Sequence, residues 1–126
     1  LVVSEICIRD SHHDKVLAIT SHLPHLIAYT IVGTATDLEE SLRSEVIKYS
    51  AGGFRDFTRI GSSSPEMWRD ICLANREALV KQIDAYQNEL NALQKMLKIN
   101  DGEALEQVFS QARGMRESWL KINTSK

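Results

Sequence analysis

The sequence predicts an all-α domain, a helical bundle with one long helix, and three observations support this fold class. Apolar residues recur at spacings of three and four over residues 16–31, which is the period of an amphipathic helix. Helix-start signals stand at Thr36 and Ser64. No glycine or proline interrupts residues 66–101. The chain therefore has the signals of several helices and few signals of a sheet.

The composition is that of one ordinary globular domain. The chain has 126 residues, with 43% hydrophobic and 25% charged residues and a net charge of −2. Because there is no basic surplus, nucleic acid and anionic membranes are disfavoured as partners. No uninterrupted apolar run reaches the length of a bilayer span, and the N-terminus lacks a signal-peptide pattern. We expect a cytoplasmic protein that binds no membrane.

The first eight residues, LVVSEICI, are rich in Val and Ile and predict a single β-strand. One strand has no partner in the helical remainder, so we expect the rest of its sheet to precede it in a longer protein. Residues 1–10 are then the end of a preceding domain, and residues 11–126 are the helical domain. Cys7 and Cys72 stand among apolar neighbours and are predicted to be buried thiols rather than zinc ligands.

The first predicted helix carries every histidine of the chain. Pro24 lies inside its apolar run and predicts a kink, and Gly33 is expected to end it. The histidines are His12, His13, His22 and His25. Three interpretations stay open: a metal site, histidines without a role, and a polar substrate pocket at the kink, which we favour. A metal-dependent hydrolase that uses His13, Asp14, His22 and His25 is the corresponding rival function.

The middle of the chain contains a helix and an arginine-rich segment. Thr36 and Glu39 form a capping box for a helix that Gly52 and Gly53 are expected to stop. The segment AGGFRDFTRIGSSSP follows and lacks the spacing of a phosphate-binding loop. Its arginines and phenylalanines fit a carboxylate pocket, but Asp56 could equally pair with an arginine on a helix surface. The spacing alone leaves these two interpretations open.

The second half of the chain predicts two long helices. Ser64 and Pro65 start a helix that continues to about Lys98, which is roughly 34 residues or roughly 50 Å. Its apolar seam follows a 4-3-4-3-4 spacing through Leu79, Ile83, Tyr86, Leu90, Leu93 and Leu97. A last helix is expected over residues 103–122. That helix could cover the seam within one chain, but both helices are apolar on more than one face, so we favour a homodimer.

Two blocks together resemble a known family. HHDKVLAITSHLPHLIAY, residues 12–29, and GGFRDFTRIGSSSPEMWRDICLANR, residues 52–76, resemble the C-terminal helical domain of prephenate dehydrogenases, including cyclohexadienyl and arogenate dehydrogenases. The resemblance implies oxidative decarboxylation of prephenate to 4-hydroxyphenylpyruvate with NAD or NADP, in tyrosine biosynthesis. It also implies a dimer formed by the helical domain. The cofactor would bind mainly to a preceding Rossmann domain, so residues 1–126 alone are expected to be inactive.

The resemblance also assigns roles to individual residues. No catalytic residue is expected within these 126 residues, because the family's catalytic histidine belongs to the nucleotide-binding domain. Asp56 matches an acidic residue that interacts across the interface with the nucleotide-binding domain. The resemblance implies no metal ligand. The residues that match substrate-binding positions are Arg59, which grips a carboxylate, and His13, His22, His25, Gly52 and Trp68, which line the cleft.

Several points stay open after this comparison. The ring substrate is prephenate or arogenate, and tyrosine is a possible inhibitor at the same site. In some bacteria such a domain is followed by 3-phosphoshikimate 1-carboxyvinyltransferase in one polypeptide, which is an alternative for the longer protein. A non-enzymatic helical dimerisation module is the remaining alternative, and it would explain the seam without explaining the two blocks.

Overall fold

The computed structural model describes residues 11–37, 42, 44, 45, 48 and 52–124, and within these ranges the chain is helical without a strand. The all-α prediction is therefore confirmed. The strand predicted for residues 1–8, together with Cys7, lies outside the described residues.

Helix α1, Ser11–Thr36, contains the irregularity that Pro24 predicts. Its segment Ala18–His22 is a π-helical turn, and the α-helix resumes over Leu23–Thr36 with Pro24 in its first turn. The backbone N–H of Leu23 donates to the carbonyl of Ala18, five residues earlier. Since proline has no N–H and crowds the carbonyl four residues before it, one wider turn lets the helix pass Pro24 without ending.

Two boundaries predicted around the end of α1 are wrong. Gly33 lies inside the helix, and its carbonyl accepts a hydrogen bond from Asp37 at 3.1 Å. Thr36 is the last residue of α1 rather than the start of a new helix, and its hydroxyl donates to the carbonyl of Val32 at 2.8 Å. Most of the helix predicted after Thr36 lies outside the described residues, although residues 42, 44, 45 and 48 are helical.

Helix α2, Gly52–Thr58, continues into a 3₁₀ turn, Arg59–Ser62. Gly52 and Gly53, which are expected to stop the preceding helix, are themselves helical, and residues 49–51 just before them lie outside the described residues. The 3₁₀ turn packs against the second half of α1. Just after the turn, the hydroxyl of Tyr29 donates to the carbonyl of Ser63 at 2.7 Å. This contact ties the arginine-rich segment to the histidine-bearing helix.

Gly61 is the point of closest approach between the 3₁₀ turn and α1. A Cβ atom at this position would lie 3.5 Å from the carbonyl carbon of Ala28, which is ordinary van der Waals contact, and Gly61 has no positive φ. We expect Gly61→Ala to leave stability unchanged or to raise it by about 0.4–1 kcal/mol, because alanine restricts the unfolded chain more than glycine does. Urea unfolding of both proteins measures this. A loss of more than about 1 kcal/mol would contradict the packing described.

The predicted long helix is two helices, α3, Pro65–Ala74, and α4, Arg76–Lys98. Asn75 separates them, with φ −115° and ψ 35°, so the prediction of one continuous helix is wrong. The predicted start is confirmed, since the Ser64 side chain accepts a hydrogen bond from the backbone N–H of Met67.

The described chain divides into two compact units, Leu1–Asp84 and Ala85–Lys126. The first has a small core, and its buried apolar side chains are Ala18, Leu23, Ala28, Trp68 and Leu79. The second contains the end of α4 and helix α5, Gly102–Thr124, which confirms the predicted last helix. In the connection from α4 to α5, Asn100 adopts a left-handed φ of 55°, and the Asp101 side chain accepts a hydrogen bond from the backbone N–H of Ala104. These are a helix C-terminus and an N-cap.

The second unit leaves large apolar side chains exposed on both of its helices. On α4, Leu90 is 47% and Leu97 62% exposed. On α5, Phe109 is 59% and Trp119 60% exposed. Leu90 and Leu97 of the seam are therefore left exposed within one chain. Exposed apolar side chains that form a contiguous patch are typical of protein interfaces.

Helix α1 is also long and apolar enough to cross a membrane by length and composition alone. Core helices of water-soluble domains meet the same criterion. The second half of α1 packs against α2 and the 3₁₀ turn, and Ala18, Leu23 and Ala28 on this helix are buried.

Candidate functional site

The π turn of α1 and the break at Asn75 meet at a buried polar cluster in the first unit. His22, the last residue of the π turn, is 8% exposed, and so is Asn75. The Asn75 Nδ2 atom lies 3.1 Å from His22 Nδ1 and donates to the carbonyl of Asp14 at 2.8 Å. One amide group therefore joins the α3–α4 junction to two places on α1.

Trp68 on α3 contacts both histidines that flank Pro24. The imidazole of His25 stacks on the indole with ring centroids 3.5 Å apart and planes inclined by 17°. The His22 ring meets the indole edge-on, at 6.0 Å and 78°. The Nδ1 atom of His25 lies 2.8 Å from the carbonyl of Ser21. Since a carbonyl oxygen only accepts, Nδ1 of His25 carries a proton.

The burial of His22 lowers the pKa of its imidazole below the ordinary value of 6.5, because the charged form loses hydration. The nearby His25 lowers that pKa further, and Asp14 opposes both effects. Burial likewise raises the pKa of the Cys72 thiol, which is half-buried and free. At neutral pH the cluster therefore contains a neutral His22.

The lowered pKa of His22 predicts an acid-sensitive stability. Around and below pH 6.5 the unfolded chain binds a proton at His22 more readily than the folded chain does, so the free energy of unfolding falls as the pH is lowered. The contribution of neutral His22 to stability is fully present only above about pH 6.5. We expect His22→Gln to remove part of this dependence. Urea unfolding at about pH 7.5 and about pH 5.5 measures it, with the exposed His12→Gln as the matched control. Equal pH dependence in all three proteins would contradict the prediction.

The structure brings His22, His25 and Trp68 together and leaves the other predicted site residues exposed. The exposed ones are His13 near the start of α1, Gly52 and Asp56 on α2, and Arg59 at the start of the 3₁₀ turn. Among the described residues, no atom outside the backbone of its own helix lies within 4 Å of a Cβ built on Gly52. The roles assigned to these residues by resemblance remain predictions.

The surface pairing considered for Asp56 is absent from the described residues. Arg69 and Asp70 do form an ion pair, at 3.0 Å on an exposed face of α3. Within residues 11–37 and 52–124, no three His, Cys, Asp or Glu side chains converge as metal ligands would. The guanidinium groups of Arg55 and Arg59 thus have no carboxylate partner in the described chain.

Two cavities lie beside the buried cluster of His22, Trp68 and Asn75. One, of about 420 Å³, is apolar and lies beside Trp68, with Leu26, Tyr29 and Cys72 in its lining. The other, of about 600 Å³, is polar and adjoins Asn75. Its charged lining residues are Asp14, Lys15, Arg76, Glu77 and Lys81. The cluster therefore stands between an apolar and a charged surface.

Asn75 is the site residue that sequence reasoning missed. The segment around it, ICLANREAL, contains good helix formers and neither glycine nor proline. The one available signal is the asparagine itself, which is a weak helix former among strong ones and favours turns. Its role depends on partners 53 and 61 residues away, which no local pattern reveals.

The fold and the site define a class of protein: all-α domains that combine a clustered polar site with exposed apolar helices suited to association. Comparison with known sequences places the chain within that class. It belongs to the prephenate dehydrogenase dimerization-domain family, because the family model described as "Prephenate dehydrogenase, dimerization domain" matches residues 9–111. The match includes every predicted site residue.

Curated relatives agree with this membership. The chain is 42% identical over 105 residues to a cyclohexadienyl dehydrogenase from Zymomonas mobilis, which covers 83% of this chain and 36% of that protein. It is 39% identical over 105 residues to a prephenate dehydrogenase from Bacillus subtilis, covering 83% of this chain and 28% of that protein. The chain thus spans about a third of the length of these relatives.

Solved structures of the family share the fold. The Aquifex aeolicus prephenate dehydrogenase in complex with hydroxyphenyl propionate and NAD+ superposes with a TM-score of 0.76 at 36% identity, over 84% of this chain and 37% of that one. A Synechocystis arogenate dehydrogenase superposes with a TM-score of 0.82 over 86% of this chain and 40% of that one. At 24% identity, the second comparison concerns the fold alone.

Proposed function

We propose that this chain is the C-terminal part of a cytoplasmic prephenate dehydrogenase of tyrosine biosynthesis. The full enzyme converts prephenate and NAD or NADP into 4-hydroxyphenylpyruvate, CO2 and the reduced nicotinamide. The family match over residues 9–111 carries this proposal. The identity of 42% to a cyclohexadienyl dehydrogenase favours arogenate as a second candidate substrate.

The chain's contribution to the reaction is to bind and orient the substrate. Prephenate carries two carboxylates, and Arg59 offers a guanidinium without a carboxylate partner in the described chain. His22, His25 and Trp68 supply a polar and aromatic wall that the chain has already folded. His13 and Gly52 complete the proposed cleft, and Asp56 faces the nucleotide-binding domain. Binding energy at these groups would hold the ring against the nicotinamide.

The nicotinamide, which accepts the hydride, is proposed to bind mainly outside this chain. The sequence lacks the glycine-rich fingerprint G-x-G-x-x-G that holds a dinucleotide. The related Aquifex aeolicus enzyme was solved in complex with NAD+, and this chain matches 37% of that protein. We therefore assign cofactor binding and the catalytic residue to the remaining part of the enzyme.

The exposed apolar helices of the second unit are proposed to form a homodimer interface. The name of the matched family includes a dimerization domain, and the exposed residues of α4 and α5 are those that a dimer would bury. In this arrangement α4, the C-terminal part of the predicted 65–98 helix, supplies the seam, and α5 packs beside it.

Steady-state assays of the full-length gene product test the proposed function. The enzyme is given prephenate or arogenate with NAD or NADP, and formation of the reduced nicotinamide is followed by absorbance. We expect turnover with at least one pair, inhibition by tyrosine in competition with the ring substrate, and no turnover by residues 1–126 alone. Absence of turnover with all four pairs would contradict the proposal.

A further inference from the structure

The amide of Asn75 makes two hydrogen bonds that restrict its orientation. The Nδ2 group has two protons, and it has two acceptors, the carbonyl of Asp14 at 2.8 Å and Nδ1 of His22 at 3.1 Å. Exchange of the amide oxygen and nitrogen would bring Oδ1 within 2.8 Å of the Asp14 carbonyl oxygen, and two acceptors at that distance repel. The Asp14 carbonyl therefore fixes which end of the amide faces His22.

The orientation of Asn75 in turn decides the protonation of His22. An amide nitrogen only donates, so Nδ1 of His22 must accept. A neutral imidazole with an unprotonated Nδ1 carries its proton on Nε2. The low pKa of this ring, which burial causes, keeps it in the neutral form. His22 is thus a hydrogen-bond donor through Nε2.

The Nε2–H group of His22 has no hydrogen-bond partner within the described residues. Every buried side-chain nitrogen and oxygen atom in the described residues has a hydrogen-bond partner. The hydrogen bond of His22 within the described chain is the one at Nδ1, so its unpartnered Nε2 atom is not completely buried. His25 is the opposite case, because its Nδ1 donates to Ser21, which leaves Nε2 as the acceptor when the ring is neutral.

We propose that Asn75 is a positioning residue that holds His22 in the Nε2–H tautomer, so that His22 donates a hydrogen bond to an oxygen of the bound substrate. Nothing in the sequence pattern or the family resemblance assigns Asn75 a role. The inference rests on the proposed function for the identity of the acceptor, and on the two Asn75 contacts for the tautomer. Asn75 itself does not touch the substrate.

Nitrogen-15 NMR of the histidine side chains in the full-length protein tests the tautomer without any substrate. Two-bond proton–nitrogen correlations distinguish a protonated from an unprotonated Nδ1, and His22→Gln and His25→Gln variants assign the two rings. We expect His22 with the proton on Nε2 at about pH 8 and His25 with the proton on Nδ1. A protonated Nδ1 on His22 in the wild-type protein would overturn the proposal, whatever the variants do.

Asn75→Asp separates a positioning role from a purely structural one. A carboxylate accepts where the amide donated, so we expect the proton of His22 to move to Nδ1 and the pKa of His22 to rise. We also expect the KM for the ring substrate to rise roughly two- to tenfold, the range for loss of one hydrogen bond, with the KM for the nicotinamide unchanged. Asn75→Leu removes the donor without adding charge, and it should give a mixture of tautomers.

Asn88→Asp is the matched control, because Asn88 is an exposed asparagine on α4, the helix that begins just after Asn75. It should change neither the tautomer nor the KM. An active enzyme whose Asn75→Asp variant keeps the wild-type tautomer and KM would refute the role of Asn75. An enzyme inactive on all ring substrates, with His22 still in the Nε2–H form, would refute the proposed function and leave the tautomer assignment supported.

Discussion

Replacing Arg59 by alanine in the full-length enzyme should raise the KM for prephenate at least about tenfold, which corresponds to about 1.4 kcal/mol. Arg59 is exposed at the first position of the 3₁₀ turn, and its guanidinium has no ion pair among the described residues. The turn is held against α1, and the hydroxyl of Tyr29 bonds to the carbonyl of Ser63 just beyond it. A positioned and unpaired guanidinium is suited to binding a carboxylate.

Arg59→Lys should also raise this KM, because an ammonium group cannot reproduce the two parallel hydrogen bonds of a guanidinium to a carboxylate. The KM for NAD should change little in both variants. Arg113→Ala is the matched control, since Arg113 is an exposed arginine on α5, outside the arginine-rich segment. Steady-state kinetics on all four proteins measure the effect. An unchanged prephenate KM in Arg59→Ala would remove Arg59 from the site.

The features that could be predicted from the sequence are those with a local cause. Ser64 caps α3 through its own side chain, and Pro24 disturbs α1 through its missing N–H. Both effects act within about one helical turn, so the residues that produce them stand next to the structure that they produce. The start of α3, the irregularity of α1 and the last helix were accordingly predicted.

The features that could not be predicted depend on contacts between distant segments. The break at Asn75 depends on acceptors at Asp14 and His22, which the fold brings close. Gly33 is another case, because a glycine near the end of an apolar run is a frequent stop signal, but here the helix continues for one more turn. A glycine or an asparagine allows a helix to end, and contacts with distant segments determine whether the helix does end there.

The same distinction applies to the candidate site. The density of histidines around Pro24 predicted a polar site at the irregular part of α1, and the structure places His22 and His25 there against Trp68. The sequence had no means of showing that an amide from the α3–α4 junction completes this cluster. It also gave no reason to separate the buried His22 from the exposed His13.

Leu90→Glu should convert the proposed homodimer into monomer or aggregate. Leu90 is 47% exposed in the single chain, at the centre of the seam, whereas Leu79 of the same seam is 3% exposed. The seam thus begins in the core of the first unit and becomes exposed in the second, where a partner would have to cover it. Full burial of a leucine stabilises by about 1.5–3 kcal/mol, and about half of the Leu90 side chain remains to be covered on association. A two-fold dimer loses this contribution twice, so the dimer dissociation constant should rise roughly ten- to a hundredfold, before the cost of burying two carboxylates is added.

Size-exclusion chromatography with light scattering measures the oligomeric state of the Leu90→Glu protein. Asn91→Glu is the matched control, because it adds the same charge one residue further along α4 at a position outside the apolar seam. We expect Asn91→Glu to elute as the wild-type dimer. If Leu90→Glu elutes as that dimer too, the seam does not form the interface, and the exposed residues of α5, such as Phe109 and Trp119, become the surface on which association depends. Parallel substitutions on α5 would then separate a dimer built on that helix from one built on α4.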